Sequence, residues 1–194
     1  MKKYDKFYIT LLGESNVGKT SISYFHKEKT FDKSSFTDEI INSHFKKLKF
    51  VGDDDEYNFK IIDIPGEERY KNIIQASIGI SDGLLLIFSV DNMESFNKIN
   101  DWIKVINDKI NSKEKALILV GNKIDTNKRE VKKEETEELA RNLRIKYRET
   151  SAKTGEGIDE VFQELYYEIY KKLKPNYFDY SENKINKLNK FIKY

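Results

Sequence analysis

Residues 13–20 read GESNVGKT and match the phosphate-loop pattern G-x-x-x-x-G-K-[ST]. This pattern constrains the fold because it works only when a strand precedes it and a helix follows it. Residues 6–12 (KFYITLL) are mostly apolar and β-branched, as in a buried strand, and after Gly18 the apolar residues Ile22 and Phe25 recur at helical spacing. Both flanks of the pattern are therefore predicted in the form it requires.

The rest of the chain alternates between strand-like and helix-like runs, which predicts an α/β fold with a parallel sheet and helices on both faces. The acidic segment 52–56 separates two strand-like runs and predicts a hairpin. Ligands of such sheets bind at the carboxyl ends of the strands. The predicted later strands are 45–51, 57–62, 84–90, 116–120 and the run KYRET, and the predicted later helices are 93–110, 132–143 and 158–173.

Composition excludes several classes of protein. The chain has 194 residues, of which 38% are hydrophobic, enough for one domain with a core. Its 35 Lys and Arg nearly balance 33 Asp and Glu, so no nucleic-acid partner is expected. It contains no cysteine, which excludes disulfides and thiol catalysis within these residues. We also expect no prenyl anchor, the alternative being a sequence that stops before such cysteines. No apolar stretch is long enough to span a bilayer. We expect a cytoplasmic protein, with peripheral membrane contact as the alternative.

Within the pattern, each residue type suits the binding of a polyphosphate. Gly13 and Gly18 let the backbone turn its N–H groups towards an anion, and Lys19 places a positive charge on the β- and γ-phosphates. The hydroxyl of Thr20 is a candidate Mg²⁺ ligand. The plain alternative is a β–α turn that binds nothing. The other candidate nucleotide-binding residues of this segment are Glu14, Ser15, Asn16, Val17 and Ser21.

The segment Asp63-Ile64-Pro65-Gly66 directly follows the strand-like run FKII. A carboxylate at a strand end can hold Mg²⁺ through water, so Asp63 is a second candidate metal residue. The N–H of Gly66 is in a position to sense the γ-phosphate. Alone, this pattern is weak because Asp and Gly are common in turns.

Two further motifs point to a purine base. Asn122-Lys123-Ile124-Asp125 follows the run ALILVG, and an aspartate carboxylate can accept hydrogen bonds from both N1–H and the amine of guanine, a pair that adenine lacks. Asn122 would tie neighbouring loops together, and the stem of Lys123 would pack over the base. A polar surface turn is the plain alternative for either motif alone.

The motif Ser151-Ala152-Lys153 follows KYRET, and its backbone N–H groups could bond the guanine O6. Taken together, the four motifs occur in one order, each at a predicted strand end. That agreement makes a chance match improbable.

The segments GESNVGKT, DIPG, NKID and ETSAK resemble those of the Ras superfamily of small GTPases, with the Rab branch nearest, over residues 6–173. The resemblance implies a P-loop NTPase G domain with a six-stranded, mostly parallel sheet and five helices. It also implies GTP and GDP as ligands, Mg²⁺ as cofactor, and two switch segments. Phe31 stands at the family's distance from Lys19 for the aromatic that packs against guanine. We expect this domain to occupy residues 1–174 and a Lys/Asn-rich tail to occupy 175–194.

The resemblance also assigns catalytic roles to Lys19, Gly66 and the residue after that glycine. Here the latter is Glu67, where the family usually has Gln to orient the attacking water. A carboxylate adds negative charge beside the phosphates and cannot donate a hydrogen bond unless protonated. We therefore predict slow hydrolysis of GTP. The alternatives are that Glu67 acts as a base, that it faces solvent, or that the protein is a GTP-locked scaffold.

Partners are implied by the same resemblance: an exchange factor, a GTPase-activating protein and effectors, all contacting the switch regions. Thr37 is the best candidate for the switch threonine that closes over Mg²⁺, although the loop differs in length from the family's. Phe45 fits one aromatic of the Rab effector surface, whereas Ile62 stands where Rabs usually have Trp. The particular partners are therefore not predicted.

In the tail, Ile185, Leu188 and Ile192 recur at helical spacing among lysines. An amphipathic helix making weak contact with an anionic membrane is one interpretation. A solvated or self-packed tail is the favoured alternative, because the segment is short and rich in asparagine.

Overall fold

A computed structural model of the protein describes residues 6–32, 41–50, 55–109, 115–174 and 192–193. One sheet organises these residues, with strand order β6-β5-β4-β1-β3-β2-β7. The strands are β1 (Lys6–Leu12), β2 (Asn42–Phe50), β3 (Tyr57–Asp63), β4 (Gly83–Ser89), β5 (Ala116–Asn122), β6 (Lys146–Thr150) and β7 (Ile192–Lys193), and the helices are α1 (Lys19–Glu28), α2 (Lys71–Ile80), α3 (Met93–Asn97), α4 (Ile99–Lys109), α5 (Lys133–Leu143) and α6 (Ile158–Leu173).

The centre of the sheet is parallel. β1 pairs in parallel with β3 on one side and β4 on the other, and the parallel pairing continues through β5 to β6. β2 pairs antiparallel with β3, which confirms the predicted hairpin. Because the parallel strands run in one direction, the segments that follow β1, β3, β5 and β6 meet at a single edge. The predicted six-stranded, mostly parallel G-domain sheet is confirmed for β1 to β6.

Helices cover both faces of this sheet. On one face α1 and α6 bury a core that includes Ile22, Phe162 and Tyr166. On the other, α2, α3, α4 and α5 cover a second core that includes Ile78 and Ile106. All seven residues of β4 are buried, as expected for a strand covered on both sides. Each fully buried large aliphatic or aromatic side chain contributes about 1.5–3 kcal/mol to folding.

Two helical features differ from the sequence prediction. The predicted helix 93–110 is divided into α3 and α4 by Lys98, whose φ of −72° and ψ of −11° keep the chain turning in the same sense. Helix α2 was not identified from the residues. In KNIIQASIGI the apolar, β-branched and glycine residues follow neither the helical period of about 3.6 residues nor the strand period of about two. A single 3₁₀ turn, Glu68–Tyr70, leads into α2.

Of the two interpretations of the tail, the amphipathic helix is wrong at Ile192, whereas the favoured self-packed tail agrees with the structure there. Ile192 lies in a two-residue strand, with Ile192 opposite Phe50 and Lys193 opposite Lys49, and not on a helical face. The open edge of β2 offers unpaired backbone groups, and the end of the chain pairs with them. Thr37, Ile185 and Leu188 lie outside the described residues. None of the helices in the described part of the chain has the length and apolar character needed to cross a membrane.

Candidate nucleotide-binding site

The phosphate loop joins β1 to α1 and depends on two glycines. Gly13 has a φ of +139°, and a Cβ there would lie 2.1 Å from the carbonyl oxygen of Ile87 in β4. Gly18 caps the start of α1 with a φ of +98°, and a Cβ there would lie 2.3 Å from Nδ2 of Asn122. Neither position accepts a larger residue without displacing the loop. The positive end of α1 therefore opens directly into the site.

The side chain of Lys19 is held in place by the phosphate loop itself. Its side chain is 6% exposed, and its Nζ donates to the backbone oxygens of Gly13 at 2.8 Å and Glu14 at 2.7 Å. Burial lowers the pKa of Lys19 to about 8, although nearby carboxylates, chiefly Asp63, oppose that shift. A bound phosphate would add negative charge beside the ammonium group and favour its protonated form.

Asp63 and Thr20 form the part of the site that fits Mg²⁺. Asp63 ends β3, is 3% exposed and has its pKa raised by burial, an effect opposed by the Thr20 hydroxyl and by Lys19. Its Oδ1 is a buried oxygen without a hydrogen-bond partner. A buried carboxylate oxygen left unsatisfied next to a hydroxyl is a donor set suited to a hard, oxygen-seeking cation.

Gly66 packs against the phosphate loop. A Cβ at Gly66 would lie 2.1 Å from the oxygen of Gly13 and 2.8 Å from Nζ of Lys19, so only glycine permits this approach. The next residue, Glu67, is 44% exposed, and its Oε2 lies 2.7 Å from a guanidinium nitrogen of Arg69. The segment that follows β3 thus brings Gly66 to the phosphate end while the Glu67 carboxylate pairs with Arg69.

Asn122 connects three loops of the site. It ends β5, is 1% exposed, and donates from Nδ2 to the oxygen of Val17 at 2.9 Å. Its Oδ1 accepts hydrogen bonds from the Thr150 hydroxyl at 3.1 Å and from the N–H of Ala152 at 3.2 Å. The Ala152 N–H is therefore already engaged by Asn122, which leaves it less available for a base than the sequence prediction assumed.

The side chain of Asp125 is 22% exposed at the other end of the site. Its Oδ1 accepts a hydrogen bond from the Ser151 hydroxyl at 2.6 Å, and its Oδ2 lies 3.8 Å from Nζ of Lys153. Lys123 has a φ of +68°, and its Nζ lies 3.6 Å from Asp91. These contacts fix the carboxylate orientation while leaving acceptor capacity on both oxygens.

A cavity of about 820 Å³ runs between the two ends. It brings together most of the predicted residues, but several lie outside its wall. Glu14, Gly66 and Glu67 line a neighbouring groove, Ser15 is exposed, and Val17, Asp63 and Ser151 are buried. Its lining residues are Asn16, Gly18, Lys19, Thr20, Ser21, Phe31, Asp91, Asn122, Lys123, Asp125, Thr126, Asn127, Ala152 and Lys153.

Sequence reasoning missed three residues of this wall, Asp91, Thr126 and Asn127. Asp91 follows the buried run of β4 by two residues, so the strand-end argument used for Asp63 would also have found it. Thr126 and Asn127 directly follow the NKID motif but carry no pattern of their own. A contact between Glu14 and Trp102 was also missed, because it joins residues far apart in the sequence.

Comparison with known proteins agrees with this geometry. Residues 8–171 match the model of the Ras family. The chain is 36% identical over 174 residues to Ras-related protein Rab-8B of Homo sapiens, covering 89% of this chain and 83% of the relative. It is 33% identical over 166 residues to Ras-related protein Rab-13 of Rattus norvegicus, covering 84% and 80%. The chain belongs to the Ras family of small GTPases, which are GTP-binding switches. Within that family it lies in the Rab branch.

Proposed function

We propose that this protein is a guanine-nucleotide switch that binds GTP or GDP together with Mg²⁺ and hydrolyses GTP slowly without a partner. The observation that carries the proposal is the position of Glu67. It follows Gly66, which packs against the phosphate loop, yet it carries a carboxylate that pairs with Arg69. Membership of a GTPase family supports the binding and the reaction in general.

Each end of the cavity has a role in this proposal. Lys19 and the loop N–H groups bind the β- and γ-phosphates and stabilise charge on the transferring phosphoryl group. Asp125 accepts hydrogen bonds from guanine, and Phe31, which lines the cavity, packs against the base. Thr20 and Asp63 hold Mg²⁺, with Thr37 as the candidate third group. When bound, the ion neutralises phosphate charge during transfer.

Slow turnover follows from what Glu67 cannot do. Orienting a water for in-line attack needs a group that both donates and accepts hydrogen bonds, as an amide does. An ionised carboxylate only accepts, and it adds repulsion towards the γ-phosphate. Its ion pair with Arg69 also draws the side chain towards the 3₁₀ turn that precedes α2.

Single-turnover hydrolysis of GTP by native protein and by Glu67→Gln tests this proposal. We expect the variant to be faster by about tenfold, since one hydrogen bond to the attacking water lowers the activation free energy by about 1.4 kcal/mol. Glu68→Gln is the matched control, because Glu68 is 90% exposed and pairs with Lys71. A variant as slow as the native protein, or slower, would contradict the assigned role of Glu67.

The GTP-locked scaffold is the second candidate, and it rests on the same residue. If Glu67 abolishes turnover, the nucleotide that is released by denaturing freshly purified protein is GTP. If turnover is merely slow, that nucleotide is GDP. The identity of the retained nucleotide, read by ion-exchange chromatography, separates the two candidates.

Partners form the least specified part of the proposal. An exchange factor, a GTPase-activating protein and effectors would contact the switch segments, and an arginine supplied by an activating partner would compensate for Glu67.

For the tail, co-sedimentation with anionic liposomes of the full chain and of residues 1–174 tests membrane contact. Equal sedimentation of the two would end that idea.

A further inference from the structure

Trp102 is the single tryptophan of the chain and lies in the first turn of α4. Its indole N–H donates a hydrogen bond to Oε1 of Glu14 in the phosphate loop, at 2.9 Å, across 88 positions of sequence. The bond is partly buried. Both residues line a groove of about 240 Å³ between α2 and α4, together with Gly66. Glu14 is not among the residues that line the 820 Å³ nucleotide cavity.

Glu14 has two effects on the phosphate end of the site. Its backbone oxygen accepts a hydrogen bond from Nζ of Lys19 at 2.7 Å, so its main chain orients the residue that would contact the phosphates. Its carboxylate is a negative charge close enough to favour the protonated form of Lys19, and the same charge would repel a phosphate. Where that carboxylate points therefore matters for binding an anion.

We propose that Trp102 is a positioning residue for nucleotide binding, because its indole N–H holds the Glu14 carboxylate on the α4 side of the phosphate loop and away from the phosphates. The inference rests on the proposed function of the loop. The indole is uncharged, so it does not neutralise Glu14 and acts only by fixing its direction. Without the indole N–H, the carboxylate is free to turn towards the cavity and oppose the ligand.

This role predicts a dependence on ligand charge. GTP carries more negative charge than GDP, and in the proposed binding mode the extra phosphate would lie at the end of the site nearest Glu14 and Gly66. Releasing the carboxylate should therefore weaken binding of the triphosphate more than that of the diphosphate. If Trp102 only supported packing of α4, its loss would weaken both nucleotides by the same factor.

The test measures affinities for GDP and for a nonhydrolysable GTP analogue in the presence of Mg²⁺. Trp102→Phe keeps an aromatic ring and removes the donor, and Glu14→Gln removes the charge. For Trp102→Phe we expect about a tenfold loss of affinity for the triphosphate, the lower end for a hydrogen bond to a charged group, and a clearly smaller loss for GDP. When Glu14→Gln is combined with Trp102→Phe, the loss of affinity should no longer be larger for the triphosphate than for GDP.

Lys98→Met is the matched control, because Lys98 lines the same groove and pairs with Asp101 on α4. It should leave the ratio of the two affinities as in the native protein. Trp102→Met, a second variant without the donor, should reproduce the ratio of Trp102→Phe. An equal loss for both nucleotides, or no loss, would overturn the inference. Failure of the native protein to bind either nucleotide would instead overturn the proposed function.

Discussion

At the scale of single residues, the chemistry of the site depends on carboxylates in different environments. Asp63 is buried with an unsatisfied oxygen, Asp125 is held by Ser151, and Glu67 is exposed beside Arg69. The sequence was sufficient to propose all three, because each follows a strand end or a glycine of a motif. The partner of Asp125 could not be predicted, since Ser151 lies 26 positions away and reaches it only through the fold. Arg69 is two positions from Glu67 and pairs with it locally, at the 3₁₀ turn.

Asp125→Asn should remove the preference for the 2-amino group of guanine. Asp125 is expected to accept hydrogen bonds from both N1–H and that amine, whereas hypoxanthine lacks the amine. Native protein should bind GDP more tightly than IDP by about tenfold or more, as a hydrogen bond to a charged group implies. The variant should bind the two nearly equally. Competition against a fluorescent guanine nucleotide measures both affinities.

Asp91→Asn is the control for this prediction, because Asp91 lines the same cavity but pairs with Lys123. It should keep the preference for GDP over IDP. If Asp125→Asn also keeps it, the assignment of base recognition to Asp125 is wrong.

At the scale of elements, the two histidines of the chain join α1, β2 and α6. His26 in α1 stacks on Phe162 with ring centroids 3.8 Å apart, and its Nε2 lies 2.8 Å from the hydroxyl of Tyr166. The ring of His44 in β2 lies 5.7 Å from that of His26. Buried nitrogens of both rings lack hydrogen-bond partners. Two positive rings at this distance would repel each other, so this junction needs neutral histidines.

Stability should therefore fall as the pH drops from about 6.5 towards 4. Burial lowers the pKa of His26 and lowers that of His44 to about 4. In this window the unfolded chain binds protons that the folded protein does not, which costs up to about 1.4 kcal/mol per pH unit for each histidine. The charged groups that act on the pair are Lys27, Glu28, Lys29, Lys46 and Asp159.

Urea unfolding at pH 7.5 and pH 5.0 measures this loss. His44→Gln cannot titrate and should show a smaller difference between the two values than the native protein. The pKa of Asp159 is lowered by His26, whose Nδ1 lies 3.7 Å from its Oδ1, and by Lys29, so its own contribution to stability is lost only below about pH 4. A native protein equally stable at both values would contradict the prediction.

Helices and strands were largely predictable where the apolar residues follow a single spacing along the sequence. β4 and β5 are continuous apolar runs, and α6 carries apolar residues at helical spacing, so their positions were found within a few residues. α2 was missed, and the short β7 was not predicted as a strand, because its pairing with β2 is a long-range contact that no local pattern encodes. The contact between Trp102 and Glu14 escaped for the same reason.

At the scale of the whole molecule, the sheet and its two cores form a unit, and the described residues after Lys174 add one short pairing to it. β7 contacts β2 through two residue pairs, at a strand whose outer part carries Lys46, Lys47 and Lys49. Lysines on an edge strand discourage pairing with other chains. The division into a domain of residues 1–174 and a tail from 175 stays a prediction.

A protein ending at Lys174 should fold and bind nucleotide. Among the described residues, this truncation removes the pairing of Ile192 and Lys193 with β2, at a cost of about 1–3 kcal/mol for its backbone hydrogen bonds. Urea unfolding measures that cost, and binding of fluorescent GDP shows whether affinity matches that of the full chain. Aggregation, or a large loss of affinity, would show that the tail is part of the domain.

Asn122 gives the site a mechanical property, since one buried side chain bonds the loop that holds phosphates and the loops beside the base. The phosphate end and the base end of the site are therefore mechanically coupled. A partner that displaces the loop at one end also disturbs the loop at the other end, because both are bonded to this amide. An exchange factor acting at only one end of the cavity would therefore loosen the whole nucleotide.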